Sequence, residues 1–168
     1  MIDDPISRGR SLGEFYFRME PALWRDIVDS GQLPDDDDAL ARAEWECFAL
    51  YACVRGLVAA GGFGEENMQA LDALHDAVAE GWDALANATP ADTEERRERV
   101  AQRYDEYGEI ARTQAPRGED VVTTRLGEAA ARHVCGTDIA PAELGTMLGE
   151  LHEAVAQGAA EHVREATV

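Results

Sequence analysis

The sequence predicts an all-α protein, an up-and-down antiparallel bundle of about five principal helices plus a short N-terminal helix. Two observations predict it. Helix-forming residues dominate, and no segment sustains the period-two alternation of a strand. Apolar residues recur instead at three- and four-residue spacing, and Pro and Gly cluster between the periodic segments. With 168 residues, a single domain spanning residues 1–168 is the expectation, long enough to bury a real core.

Residues 1–13 are polar and contain glycine, and are expected to be loosely ordered. Pro21 then fits the first position of a short helix ending near Gly31, with Leu23, Trp24, Ile27 and Val28 on its apolar face. One longer, kinked helix from near Ser11 is the alternative. Asp35 to Asp38 open the next helix. Their carboxylates suit its N-terminus, where one caps and the rest oppose the macrodipole. They lack the spacing of a calcium loop. This helix runs to about Ala60, and the apolar run Cys47 to Val54 makes it the most buried element.

The third helix is expected from Glu65 to Ala88, with Met68, Leu71, Leu74, His75, Val78, Trp82 and Leu85 on one face. Thr89-Pro90, a cap followed by proline, starts the fourth, which reaches about Thr113. Its stripe is Val100, Tyr104, Tyr107 and Ala111, and Asp92–Arg96 and Glu95–Arg99 are favourable i,i+4 pairs. A fifth helix spans Glu119 to Cys135, turns Val122, Leu126, Ala129, Ala130 and His133 inward, and is stopped by Gly136. Asp138 to Pro141 start the last, whose seam is Leu144, Leu148, Leu151, Val155 and Ala159. Short connections make successive helices antiparallel.

Charge narrows the function classes. All 15 basic residues are arginine, against 34 Asp plus Glu, giving a formal net charge of −19. GC-rich codon usage accounts for arginine in place of lysine, but not for the acidic excess. Adaptation to high salt accounts for both, and the two explanations stay open. No basic block faces a phosphate backbone, because Arg96, Arg97, Arg99 and Arg103 are interleaved with acids; nucleic acid is not an expected partner. Anionic membranes are disfavoured likewise. The apolar stretch Cys47–Gly64 is interrupted by Arg55 and ends in a glycine turn, so it reads as a buried helix rather than a span. Residues 1–30 lack the pattern of a signal peptide. Cys47, Cys53 and Cys135 have no CxxC spacing and read as free thiols in a reducing cytoplasm.

The histidines are the chemically suggestive residues. His75 and His133 lie on core stripes, whereas His152 and His162 lie nearer the flanks of the last helix. Helical bundles can hold metal through inward E-x-x-H motifs, and Asp72–His75 is half of such a motif with the shorter carboxylate. A divalent-metal site would draw on Asp72, His75, Glu44 and His133. Glu44, Glu46 and Arg55 bracket the apolar stretch of the central helix, and each needs a partner from another helix if buried. A structural salt bridge is the simplest such partner. Gly61-Gly62-Phe63-Gly64 reads as a C-cap and turn, since Glu65 and Glu66 repel a phosphate there. Tyr104 and Tyr107 could line a small-ligand pocket, and otherwise read as core-boundary residues with their hydroxyls at the rim.

No residue set marks a reaction, so the leading expectation is a non-enzymatic cytoplasmic bundle acting through protein–protein contact as a homodimer. The aromatic segment Phe15–Trp24 would serve as its covering or exchanging arm. The alternatives are a metal- or small-ligand-binding enzyme with its site between helices around His75, and an acidic inhibitor or immunity-type protein for a basic partner.

Overall fold

The computed structural model describes residues 4–34 and 39–167. Among them the chain is an all-α bundle of six helices: α1 (Pro5–Asp29), α2 (Ala39–Gly61), α3 (Glu65–Asp83), α4 (Pro90–Gln114), α5 (Glu119–Cys135) and α6 (Ala142–Thr167). A short 3-10 turn, Ala115–Arg117, joins α4 to α5. The expected capping role of Asp35 to Asp38 lies outside the described residues.

The first helix departs from expectation. It begins at Pro5 rather than near Pro21, so residues 5–13 are helical and not loose. Its start carries the same signature as Thr89-Pro90. Asp4 caps, its Oδ2 accepting from the Ser7 N–H at 2.8 Å, and Pro5 occupies the first turn. Pro21 sits inside the helix. Proline removes one helical hydrogen bond, but Leu12 and Tyr16 before it and Trp24 and Ile27 after it are buried in one core, and that burial holds both halves in line. The segment Phe15–Trp24 is therefore spent inside its own bundle. Tyr16 and Trp24 are buried, Phe15 stacks on His162, and Phe17 packs edge-on to Tyr16.

Short connections do alternate the helix directions. Tyr16 meets Glu46 and Glu20 meets Arg42, so α1 and α2 are antiparallel. Thr93 meets Asp83 while Tyr104 meets His75, which makes α3 and α4 antiparallel. The two most extensive packings, however, join helices that are not chain neighbours. α1 lies parallel to α3, Gly9 against Ala73 and Gly13 against Ala77. α2 lies parallel to α6, Phe48 against His152 and Gly56 against Ala159. α2 touches all five other helices, and every residue from Glu44 to Cys53 is buried.

Small residues make these approaches close. A side chain at Gly127 of α5 would run into the backbone at Gly145 and Gly149 of α6. At the other end of α2, Asn67 is buried and donates to the carbonyls of Leu57 (3.1 Å) and Gly62 (2.6 Å), tying the start of α3 to the end of α2. α3 stops at Asp83, short of the expected Ala88, and Asn87 turns the chain with φ 65°. Leu85, which lies past that stop, and Met68 are exposed instead of facing the core.

Gly127→Ala should destabilise the bundle by about 1–3 kcal/mol through overpacking of the α5–α6 seam. Gly108 of α4 has open space around its Cα, and Gly108→Ala should stabilise by about 0.5–1 kcal/mol through helix propensity. Chemical denaturation of both variants tests the pair; equal effects would contradict the close α5–α6 approach.

Candidate functional site

α4 is mostly polar, burying only Thr93, Val100 and Tyr107, and so cannot be held by apolar area alone. Arginines on one face of it reach two buried carboxylates of α2. Arg103 grips Glu44 with two hydrogen bonds, Nε to Oε2 at 2.6 Å and Nη2 to Oε1 at 2.8 Å, and Arg99 approaches the same carboxylate at 3.4 Å. Arg96 pairs with Glu46 at 3.4 Å, and Glu46 also faces Arg42, which in turn reaches Glu20 of α1 at 3.2 Å. Burial raises the carboxyl pKa of Glu46 and Glu20 above the ordinary value, and the facing arginines oppose that rise. The hydrogen bonds that Arg103 donates to Glu44 raise the Arg103 pKa in turn. The interhelical salt bridge expected for Glu44 and Glu46 is thus realised, and Arg55 finds Glu119 at 2.8 Å and Glu153 at 3.8 Å.

Held this way, α4 touches α3 sparsely, and a groove of about 290 Å³ lies between them. Leu50, Val78, Trp82 and Val100 make it apolar. One wall carries a polar pair, the Tyr104 hydroxyl 2.9 Å from His75 Nε2. Burial lowers the His75 pKa, against the opposing pull of the Leu71 backbone and of Asp72 and Asp76, and burial also drives the Tyr104 pKa well up. Both groups are therefore neutral near pH 7. With the His75 proton on Nδ1, the tautomer favoured by the Leu71 backbone, Nε2 accepts from the tyrosine hydroxyl. A second groove of the same volume flanks the start of α4. Its cations, Arg96 and Arg99, are already engaged with Glu46, Glu44 and Glu95.

The four residues considered for a metal are not brought together. Glu44 is enclosed by Arg99 and Arg103; His75 is engaged by Tyr104; Asp72 is exposed, and acts on His75 only through its charge. His133 instead meets Glu106 of α4 at 2.5 Å. Among the described residues no group of three or more His, Cys, Asp or Glu side chains is placed to hold a metal ion. The arginines of α4 hold the carboxylate nearest the core, so the four residues do not form one centre in this structure.

His152 is the residue that sequence reasoning misplaced. It is fully buried, stacked on Phe48 at 4.3 Å and tilted against Tyr51, and neither ring nitrogen makes a hydrogen bond of good geometry. The buried Tyr107 hydroxyl likewise has no hydrogen-bond partner, and Arg55 Nη1 has only the ion pair with Glu153 at 3.8 Å. Burial, helped by the charge of Arg55 and opposed by the Phe48 backbone, pushes the His152 pKa down to about 3. A signal was present: Leu148, His152, Val155 and Ala159 keep the three-four spacing of the α6 seam as well as the series through Leu151 does. α6 buries a wide stripe because α2 and α5 both pack on it, so the seam could not be read as a single line.

Comparison with protein-family models, with characterised proteins and with solved structures gives no match. No helix among the described residues is long and apolar enough to cross a membrane. Cys47, Cys53 and Cys135 are free thiols; burial pushes the pKa of Cys47 up to about 12 and raises that of Cys53 as well, which keeps both protonated and unreactive.

His152 gives a pH signature. Its pKa is lowered in the fold, so the unfolded chain takes up a proton below about pH 6.5 that the folded chain refuses. The stability it provides is complete above that pH and declines as pH falls towards 3, by up to about 1.4 kcal/mol per pH unit. His75 acts in the same sense, and Glu20 and Glu46 in the opposite sense at lower pH. The readout is therefore the difference between the parent protein and His152→Phe, which should shrink as pH falls from about 7 to about 5. Parallel curves would mean that the ring can be protonated without unfolding.

Proposed function

We propose that this protein is a ligand-binding helical bundle whose site is the α3–α4 groove. The observation that carries this reading is the His75–Tyr104 pair on the wall of an otherwise apolar groove. Small-molecule sites combine a mainly apolar lining with a few placed polar groups, and occur between the helices of bundles. The volume of about 290 Å³ suits a small ligand rather than a long one. Trp82 and Val100 supply the apolar wall, and the neutral Tyr104–His75 pair supplies a hydrogen bond that orients the guest. In this reading the pair positions the ligand, and no chemical step is required of it. The free thiols suit a reducing, cytoplasmic setting.

Ala101 lines the groove from an exposed position, so Ala101→Trp should fill it without disturbing the core. Small aromatic and aliphatic fragments should raise the melting temperature of the parent protein and change its tryptophan fluorescence, and both responses should vanish in Ala101→Trp. Fragments that stabilise both proteins equally would place binding elsewhere.

A second reading, association into a homodimer, draws on exposed apolar side chains at one end of the bundle. Ile6 in the first turn of α1, Phe63 in the α2–α3 turn and Met68 in the first turn of α3 are 53%, 82% and 45% exposed, and α1 and α3 run parallel. The surrounding carboxylate coat supports a protein suited to high salt, where screening lets such ends meet. Light scattering with far-UV circular dichroism from dilute to molar salt tests both ideas. The expected result is a doubled mass and a fuller helical signal at high salt; a monomer with constant helicity throughout counts against both.

A further inference from the structure

We propose that the α3–α4 groove takes a small monocarboxylate with an apolar body, its carboxylate received by Arg97. This rests on the groove being a ligand site and adds the class of ligand. The rim of the groove holds an unpartnered cation. α4 carries Arg96, Arg97, Arg99, Arg103 and Arg112. Four of them are spent: Arg96 on Glu46, Arg99 and Arg103 on Glu44, and Arg112 on Glu109. Arg97, on the groove, makes no ion pair or hydrogen bond with any described residue. The acid on the opposite rim, Asp76, already acts on Arg10 of α1, raising its pKa together with Glu80. Arg10 is itself held by both oxygens of Glu80, so neither Asp76 nor Arg97 has an ion-pair partner among the described residues, and Arg97 is the cation on the groove that a carboxylate can meet.

A guanidinium presents a planar fork that receives a carboxylate through two parallel N–H donors. Behind it the lining is Leu50, Val78, Trp82 and Val100, which favours a phenyl or branched alkyl body over a sugar or a polyanion. A multiply charged phosphate fits poorly, because Arg97 is one cation and Asp76 faces it from the opposite rim. An amine in place of the carboxylate would meet the unpaired guanidinium and be rejected.

Three probes of matched shape separate the ligand class from the site: 3-phenylpropionate, 3-phenylpropan-1-ol and 3-phenylpropylamine, each titrated while tryptophan fluorescence and ligand-observed NMR are followed. The carboxylate should bind about tenfold more tightly than the alcohol, the amine most weakly of the three. Arg97→Gln should reduce the carboxylate to the level of the alcohol, and Arg97→Lys should restore part of the difference. Arg97 is exposed and unpaired, so its variants should keep the parent melting temperature, which separates lost binding from lost folding. Equal binding of carboxylate and alcohol, abolished in both by Ala101→Trp, would overturn the ligand class and leave the groove standing. If no probe binds, or if binding survives Ala101→Trp unchanged, the groove itself falls and this proposal with it.

Discussion

The pairing of buried Glu44 and Glu46 with the arginines of α4 is the constraint on which the rest of the structure depends. Two carboxylates enclosed by a helix that touches every other helix would be costly if left alone. α4, with few apolar side chains, would have little reason to dock. Each problem solves the other. Arg103 and Arg99 close on Glu44 while Arg96 closes on Glu46, and Glu46 is linked through Arg42 to Glu20 of α1. Breaking such a pair from one side leaves a buried charge uncompensated, so the geometry is specific even where its net contribution to stability is modest. Pairs shielded in this way are also screened less by salt than surface pairs are.

The same pairing accounts for the groove. Helices that meet through glycine and alanine, as α1 meets α3 and α5 meets α6, leave no space between them. α4 is joined to α2 by long arginine side chains, and between it and α3 a space remains that Trp82, Val78 and Val100 line but do not fill. Polar docking on one side thus becomes an apolar recess on the other. The three arginines that perform the docking are also the ones that, by sequence, came nearest to a basic patch. Turned inward, they no longer offer phosphate a surface, and Arg97 is left to face the groove.

Neutralisation by neighbours runs through the bundle's other polar groups. His75 is taken by Tyr104, His133 by Glu106 and His162 by Ser11, so three of the four histidines are engaged by different helices and none joins another at a shared centre. His152 is kept neutral by burial between Phe48 and Tyr51, helped by the charge of Arg55. The aromatic rings of Tyr51, Tyr104 and Tyr107 separate these histidines inside the core.

The helical class, the limits of α5, the cap at Thr89 and the need of Glu44, Glu46 and Arg55 for partners were all legible in the sequence. They depend on local spacing and on the cost of a buried charge, and both are properties of the chain itself. Asp4-Pro5 was legible too, as the start of a long α1, but the glycines that follow it suggested looseness. Only the fold shows Gly9 and Gly13 as contact points for the alanines of α3. Tertiary structure alone decided that parallel helices make the two most extensive contacts, that His152 lies deeper than His133, and that Asp72, His75, Glu44 and His133 stay apart. The reason is physical. Periodicity reports which face of a helix is apolar, but not which neighbour covers it, and two helices packed on α6 widen its buried stripe until its edge becomes its centre.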